Sequence, residues 1–454
     1  MDKALIQKYN VPVPRYTSYP PANHFKALTS QEYLDEVRQS NLYSRNNISF
    51  YIHVPFCQQL CHYCGCNSVA MASDERVSAY VNALHKEIDL LLPLLDKNRK
   101  ISQIHYGGGS PTSLPVSVIR ELNDHLLQGF DTIEQPEIAI ECQPAYLTAS
   151  DWNALADAHF TRMSIGVQDF APDVLKAVNR KASLIPLEEV FEILTSKGIR
   201  VNLDFIYGLP LQTVDSFAQT IERAIRLRPH RLVTFSYAHV PWVNKRQLIL
   251  EKYGLPKEED KTAMFQKASD LLLSAGYQAV GMDHFVLSDD SLYQALKNHQ
   301  LHRNFQGYCT REITAQVYAF GVSGISQLDG MYAQNTKNID EYLQNVNEGI
   351  LPIVKGYALN KEEQVTRSVI EMLMCNYQID WNELSQLLNM PISDIKKATA
   401  YDDVKMADFA RDGLIQMDEQ RIVMQPEYAP FVRNVAASLD RLMSNAAPNF
   451  SKPI

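Results

Sequence analysis

Cys57-Gln-Gln-Leu-Cys61-His-Tyr-Cys64 follows directly on the strand-like run Ile48–His53, and this spacing presents three thiolates from one tight loop. A four-iron cluster is ordinarily held by four cysteines. Three in so compact a frame leave one iron with an open position, as catalytic metals have. The ligand this chemistry asks for is S-adenosylmethionine, whose radical chemistry needs an adjacent electron source and whose amino and carboxylate groups can chelate a cluster iron. A zinc loop or buried structural thiols are the competing readings. Zinc usually takes two well-separated Cys/His pairs, and neither His53 nor His62 falls at such a spacing. The other cysteines, Cys66, Cys142, Cys309 and Cys375, form no disulfide framework, which fits a reducing compartment.

The elements that must position this loop are legible as alternation. From residue 48 to about 240, short β-rich runs (48–53, 101–106, 137–142, 162–167, 200–206 and 231–237) alternate with helical patterns such as Leu187, Val190, Phe191 and Leu194. Six strand-helix units in series predict a parallel sheet with right-handed crossovers. Ligands of such sheets gather beyond the carboxyl ends of the strands. Those ends carry the cysteine loop, Gly107-Gly-Gly-Ser-Pro111, Glu141, Gln168, Asp204 and Tyr237-Ala-His239.

Around this unit, Thr29-Ser-Gln-Glu32 reads as a capping box that opens a helix to about residue 39. Val11–Pro21 is an extended arm, since its prolines exclude a helix. Beyond about residue 355 the pattern turns helical (Val365, Val369, Ile370, Leu373), then reads as two strands around a polar turn within 413–424. The expected organisation is an arm and helix over 1–44, a catalytic unit over 45–355 and a mostly helical domain with a small β wing over 356–454.

At 454 residues and 46% hydrophobic content the chain can bury a large core. No signal peptide or membrane span is legible, so a cytoplasmic protein is expected. A net charge of −9 argues against nucleic-acid binding and means that an anionic substrate must find local arginines.

Several further stretches carry a resemblance over nearly the whole chain: Pro14-Arg-Tyr-Thr-Ser-Tyr-Pro20, Tyr51-Ile-His-Val-Pro-Phe-Cys57, Cys64-Gly-Cys66-Asn67, Gly166-Val-Gln-Asp-Phe170, Asp204-Phe-Ile-Tyr-Gly-Leu-Pro210, Gly281-Met-Asp-His-Phe285 and Leu301-His-Arg-Asn-Phe-Gln-Gly-Tyr308. The sequence resembles the oxygen-independent coproporphyrinogen III dehydrogenase family of radical S-adenosylmethionine enzymes. The resemblance implies an α/β fold, a partial (β/α)6 barrel with an N-terminal arm and a C-terminal helical domain. It implies one [4Fe-4S] cluster on Cys57, Cys61 and Cys64, with Cys66 nearby and not a ligand, and two S-adenosylmethionine molecules. Tyr51, Gly108, Glu141, Ala238 and Ile325 would contact the first; Tyr63, Gly109, Ser110, Gln168, Arg180 and Asp204 would contact the second.

Glycine lets a backbone approach a ligand closely, and carboxylates accept from ribose hydroxyls or an ammonium group, although a lone Glu or Asp is more often a solvated cap. A tetracarboxylate substrate makes Arg15 and Arg303 candidate contacts through bidentate pairing, with structural ion pairing as the plain alternative. His284 and His302 serve equally well as core histidines.

The implied reaction is the oxidative decarboxylation of two propionates of coproporphyrinogen III to vinyl groups, started by a 5′-deoxyadenosyl radical, in an enzyme expected to be a monomer and to be reduced by a flavodoxin or ferredoxin. Two departures stand out: Gln143 where relatives commonly have an acid, and Gln316-Val-Tyr-Ala-Phe-Gly321, whose Tyr318 and Ala319 are expected to reshape the pocket wall. Two alternatives stay open, a haem chaperone, against which Cys66 argues because such relatives typically carry Phe there, and a radical enzyme acting on another tetrapyrrole.

Overall fold

The structure, a computed structural model, describes residues 3–42, 47–311, 313–445 and 450–451. The expected boundary between residues 44 and 45 lies outside the described residues. Six strands, Asn47–Val54 (β1), Lys100–Gly108 (β2), Thr132–Cys142 (β3), Arg162–Gln168 (β4), Arg200–Tyr207 (β5) and Arg231–Ser236 (β6), pair in parallel and in sequence order. Each matches a strand read from the sequence, but β2 and β4 run further, so Gly107, Gly108 and Gln168 are strand residues rather than loop residues.

The side-chain period of two divides every strand between two environments. Phe50, Ile52 and Val54 of β1, Ile104 and Tyr106 of β2, Ile138 and Ile140 of β3, Met163 and Ile165 of β4 and Leu203 and Phe205 of β5 are buried in the main apolar core. Each such side chain contributes about 1.5–3 kcal/mol by leaving water. Their neighbours in sequence, such as His105, Glu141, Ser164 and Asp204, face one interior cavity instead. The outer helices close the core, among them Leu187–Ser196 and Val214–Leu227, the latter entered through a Thr213–Ser216 capping box.

The sheet is open, a partial barrel. Its β1 edge continues into a seventh parallel strand, Gln316–Phe320 (β10), and then into antiparallel Ile325–Gln327, Met331–Asn335, Ile353–Ala358 and Lys26–Ala27. Beyond β6 the sheet continues into antiparallel His284–Val286 (β7) and Gln278–Val280. A separate hairpin, Leu301–Asn304 (β8) with Gly307–Thr310 (β9), supplies residues to the cavity wall from outside the sheet.

Thr29 caps the helix Ser30–Ser40 through the expected capping box. The C-terminal part contains the helix Lys361–Asn376 and the two wing strands, Ile415–Met417 and Arg421–Met424, and adds a third strand, Gln378–Asp380, that the sequence pattern did not show. Tyr9, Tyr16 and Tyr19 of the N-terminal segment enter the same apolar cluster as Val369, Leu373, Trp381 and Phe431. The arm is thereby fastened to the C-terminal part: Tyr16 Oη donates to Asp440 at 2.9 Å, and Arg433 donates to the carbonyls of Val13 and Pro14. Among the described residues no helix is long and apolar enough to cross a membrane.

Candidate active site

The cysteine loop leaves the carboxyl end of β1 and is held against the glycine run that ends β2. Gly109 N donates to Val54 O at 2.8 Å and Ser110 N to Phe56 O at 3.0 Å. The packing requires glycine at 109, where a Cβ would collide with the Pro55 carbonyl and stand 3.0 Å from Cys57 Sγ; a Cβ on Gly107 would sit 2.9 Å from Glu141 Oε1 and displace that carboxylate. Gly108 also has a φ of +122°, a conformation that side chains disfavour, with the His53 ring beneath it. Burial holds that ring below its usual pKa. Its nitrogens face Tyr51 Oη at 3.1 Å and Asn67 O at 3.0 Å, so it ties β1 to the far end of the loop.

Three amides strap the loop's carbonyls: Asn179, which stands beside Arg180 in a stretch shared with the resembled family, and Asn244 and Gln247, which nothing in the sequence singles out. Asn179 Nδ2 donates to Leu60 O at 2.8 Å, Gln247 Nε2 to Tyr63 O at 2.9 Å and Asn244 Nδ2 to Cys64 O at 2.6 Å. Asn179 sits in the left-handed region (φ 56°), which asparagine tolerates best after glycine, and its Oδ1 accepts from Gln59 at 2.6 Å.

Loop and strand ends enclose a cavity of about 480 Å³. Of the expected site residues, Cys57, Cys61, Cys64, Tyr63, Gly108, Gly109, Ser110, Glu141, Gln168, Arg180, Asp204, Arg15 and Arg303 all line it. Arg180 is the junction. It donates to the Gly166 carbonyl, to Tyr63 Oη at 3.2 Å and to Cys61 Sγ at 3.5 Å, joining β4 to the cysteine loop. Burial pushes the Asp204 carboxyl up to about 6, against the 2.8 Å hydrogen bond from Ser164. At Asp283, burial also opposes ionisation, but the His284 hydrogen bond and the charges of Arg303 and Arg15 outweigh it and hold the pKa low.

Tyr51, Ala238 and Ile325 do not form part of this wall. Tyr51 stands behind it, its ring stacked on His105 and its hydroxyl near Gly107. Ala238 follows β6 and accepts from Gln247 at 3.3 Å, and Ile325 begins the strand after β10. The expectation for residues 316–321 is corrected: none of them lines the cavity. Tyr318 points to the helix side, where its hydroxyl meets Ser40 at 2.7 Å and Arg99 at 2.8 Å, and Ala319 is in register with Tyr51 inside the sheet. The alternation along β10 turns the larger side chain away from the site. Of the two histidines, His284 faces the cavity and bonds Asp283 at 2.7 Å, whereas His302 is bound to Glu371 at 2.5 Å outside it.

The donor set fits an iron–sulfur cluster. Thiolates are the ligands such clusters use, and none of the three thiols is in a disulfide and all face one space. Burial, followed by the charges of Cys64 and Cys61, pushes Cys57 up to about 12, whereas the Cys66 thiol, hydrogen bonded to Cys64, draws that sulfur down to about 6. A thiol held as high as Cys57 deprotonates near neutral pH only beside a strong cationic centre. Among the described residues no three His, Cys, Asp or Glu side chains converge as they would on a single metal ion. The wall also fits an organic ligand: Gln143 and Gln168 both belong to it, and each has a buried Oε1 with no hydrogen-bond partner.

The model of the radical SAM superfamily matches residues 51–224. The chain is 34% identical to the oxygen-independent coproporphyrinogen III oxidase of Helicobacter pylori, covering 100% of this chain and 99% of that protein. It is 37% identical to the protein of that name from Escherichia coli, covering 98% and 96%. The solved coproporphyrinogen III oxidase of Escherichia coli, described as a radical SAM enzyme, superposes with a TM-score of 0.88 at 35% identity over 97% of this chain and 98% of that one.

Proposed function

The chain belongs to the oxygen-independent coproporphyrinogen III oxidases of the radical SAM superfamily, and from this we propose that it decarboxylates two propionates of coproporphyrinogen III to give protoporphyrinogen IX. A [4Fe-4S] cluster and S-adenosylmethionine follow from the family. The observation that carries the reading is a single cavity lined both by three cluster-type thiols and by Arg15 and Arg303.

In this reading Cys57, Cys61 and Cys64 hold the cluster. When bound, cluster and cofactor would supply one-electron chemistry at a propionate β-carbon: one hydrogen atom would pass to the cofactor's 5′-carbon, the carboxylate would leave as carbon dioxide, and one electron would go to an external acceptor, leaving a vinyl group. The chain's part is positioning and enclosure. Two S-adenosylmethionine molecules are proposed. For the first, the cavity wall offers Gly108 and Glu141, while Tyr51, Ala238 and Ile325 rest on the resemblance alone. For the second it offers Tyr63, Gly109, Ser110, Gln168, Arg180 and Asp204. Gln168 Oε1 is free to accept, and an ionised Asp204 accepts from a hydroxyl or ammonium group. Arg15 and Arg303 face the carboxylates of the tetrapyrrole, and a flavodoxin or ferredoxin supplies the electron.

Anaerobic reconstitution with iron and sulfide, followed by incubation with S-adenosylmethionine, a reductant and coproporphyrinogen III, tests the proposal through product mass. Decarboxylation lowers the mass of the tetrapyrrole. An unchanged mass would contradict the reading, and so would the increase that methyl transfer gives.

A further inference from the structure

We propose that Arg303 and Asn304, on the β8–β9 hairpin, form a carboxylate seat that anchors a propionate of the substrate away from the reacting carbon and so fixes which propionate is presented for hydrogen abstraction. The inference rests on the reading of this chain as a coproporphyrinogen III oxidase and adds to it the seat itself.

The cavity holds five arginines, and three are already committed. Arg162 donates to Glu137 at 3.0 Å and to Asn202 at 2.9 Å, and Arg231 donates through Nε to Asp290 at 3.0 Å and through Nη2 to Ser291 at 3.2 Å. Arg180 is spent on Gly166, Tyr63 and Cys61. Arg15 and Arg303 remain. Arg303 is fixed in place and makes no direct ion pair among the described residues, although the Asp283 carboxylate feels its charge: Nη1 donates to Arg15 O at 2.9 Å, and the guanidinium lies 5.0 Å over the Tyr308 ring. Its Nε is buried and has no hydrogen-bond partner.

Asn304 supplies the second donor. Only 1% of it is exposed, yet it lines the cavity. Its Oδ1 accepts from Gln306 N at 2.9 Å, which fixes the amide and leaves Nδ2 buried with no partner. A buried donor left unmatched costs about 1–3 kcal/mol, and a carboxylate drawn to the Arg303 charge and entering beside the end of β8 would give such a donor its partner. An aspartate at position 304 would present an acceptor and a negative charge instead. The arm strengthens the seat from above, because Arg15 reaches the same cavity and its carbonyl is the group that steadies Arg303.

The test compares wild type with Asn304→Asp and Asn304→Ser, each reconstituted anaerobically. Binding of coproporphyrin III and of its tetramethyl ester is followed by fluorescence, and KM and kcat are measured with coproporphyrinogen III. The seat requires that Asn304→Asp weaken coproporphyrin III binding and raise KM by roughly ten- to a hundredfold, the range of one lost hydrogen bond to a charged group. Asn304→Ser, which keeps the space without a negative charge, should show a smaller rise, and neither variant should change binding of the ester. Wild-type turnover with KM unchanged in both variants would remove the seat and leave the reading standing. An equal loss for acid and ester in both variants would mark Asn304 as structural and also remove the seat. No turnover by wild type would remove the reading and the seat together.

Discussion

A methyl group on Gly109 would stand 3.0 Å from the sulfur of Cys57 and collide with the carbonyl of Pro55. The sulfur could swing aside, but the Pro55 carbonyl is backbone at the root of the cysteine loop and cannot. Gly109→Ala is therefore expected to displace the loop while leaving the distant core intact. Iron and sulfide bound after anaerobic reconstitution should fall at least severalfold, with far-ultraviolet circular dichroism unchanged. Full iron content in the variant would contradict the packing argument.

Asn179 serves the loop from the opposite side, through Leu60 O and Gln59. Asn179→Ala removes both hydrogen bonds and places a Cβ-only residue at φ 56°, for an expected cost of roughly 1–3 kcal/mol. Because the lost bonds lie on the loop, the loss should show less in thermal unfolding than in the rate at which the reconstituted cluster bleaches in air. The check is that rate, expected to rise severalfold.

Asp204 gives a pH signature. Its folded pKa, about 6, lies above the ordinary 3.8, so between those values the native state binds more protons than the unfolded one, and stability falls as pH rises through that window. Above about pH 6 the full cost is present, at most about 3 kcal/mol at 1.4 kcal/mol per pKa unit. Asp204→Asn keeps an acceptor for Ser164 and removes the charge. In the absence of S-adenosylmethionine it should melt higher than wild type at pH 7–8 and equally at pH 4.

The same substitution should weaken cofactor binding, since a neutral amide accepts less strongly than a carboxylate. In wild type, affinity for S-adenosylmethionine should decline as pH falls through about 6. In Asp204→Asn it should be lower and nearly flat with pH. Equilibrium dialysis across that range checks both, and its saturation value also tests the proposed stoichiometry of two molecules per chain.

The barrel strands and the helix Ser30–Ser40 were legible because a two-residue alternation and the capping residue Thr29 are local signals, and the residues at the strand ends then fall on one rim without further information. What was not legible is non-local. Asn244 caps the short 3-10 helix Lys245–Tyr253, which contains Gln247, and the two amides reach the carbonyls of Cys64 and Tyr63, roughly 180 residues earlier. Gln316–Phe320 reads as an altered pocket wall until its parallel pairing with β1 shows which side of the sheet Tyr318 occupies. Arg303 was a candidate from its charge, whereas nothing in the sequence marks Asn304 beside it; only the missing partner of its Nδ2 sets it apart from an ordinary hairpin residue.

Hydrogen transfer from the substrate to the cofactor tests the central claim most directly. Coproporphyrinogen III carrying deuterium at the propionate β-carbons is incubated anaerobically with the reconstituted protein, a reductant and S-adenosylmethionine, and the 5′-deoxyadenosine is analysed by mass. The account predicts 5′-deoxyadenosine carrying one deuterium for each vinyl group formed. Vinyl product accompanied by unlabelled 5′-deoxyadenosine, or by none, would contradict it.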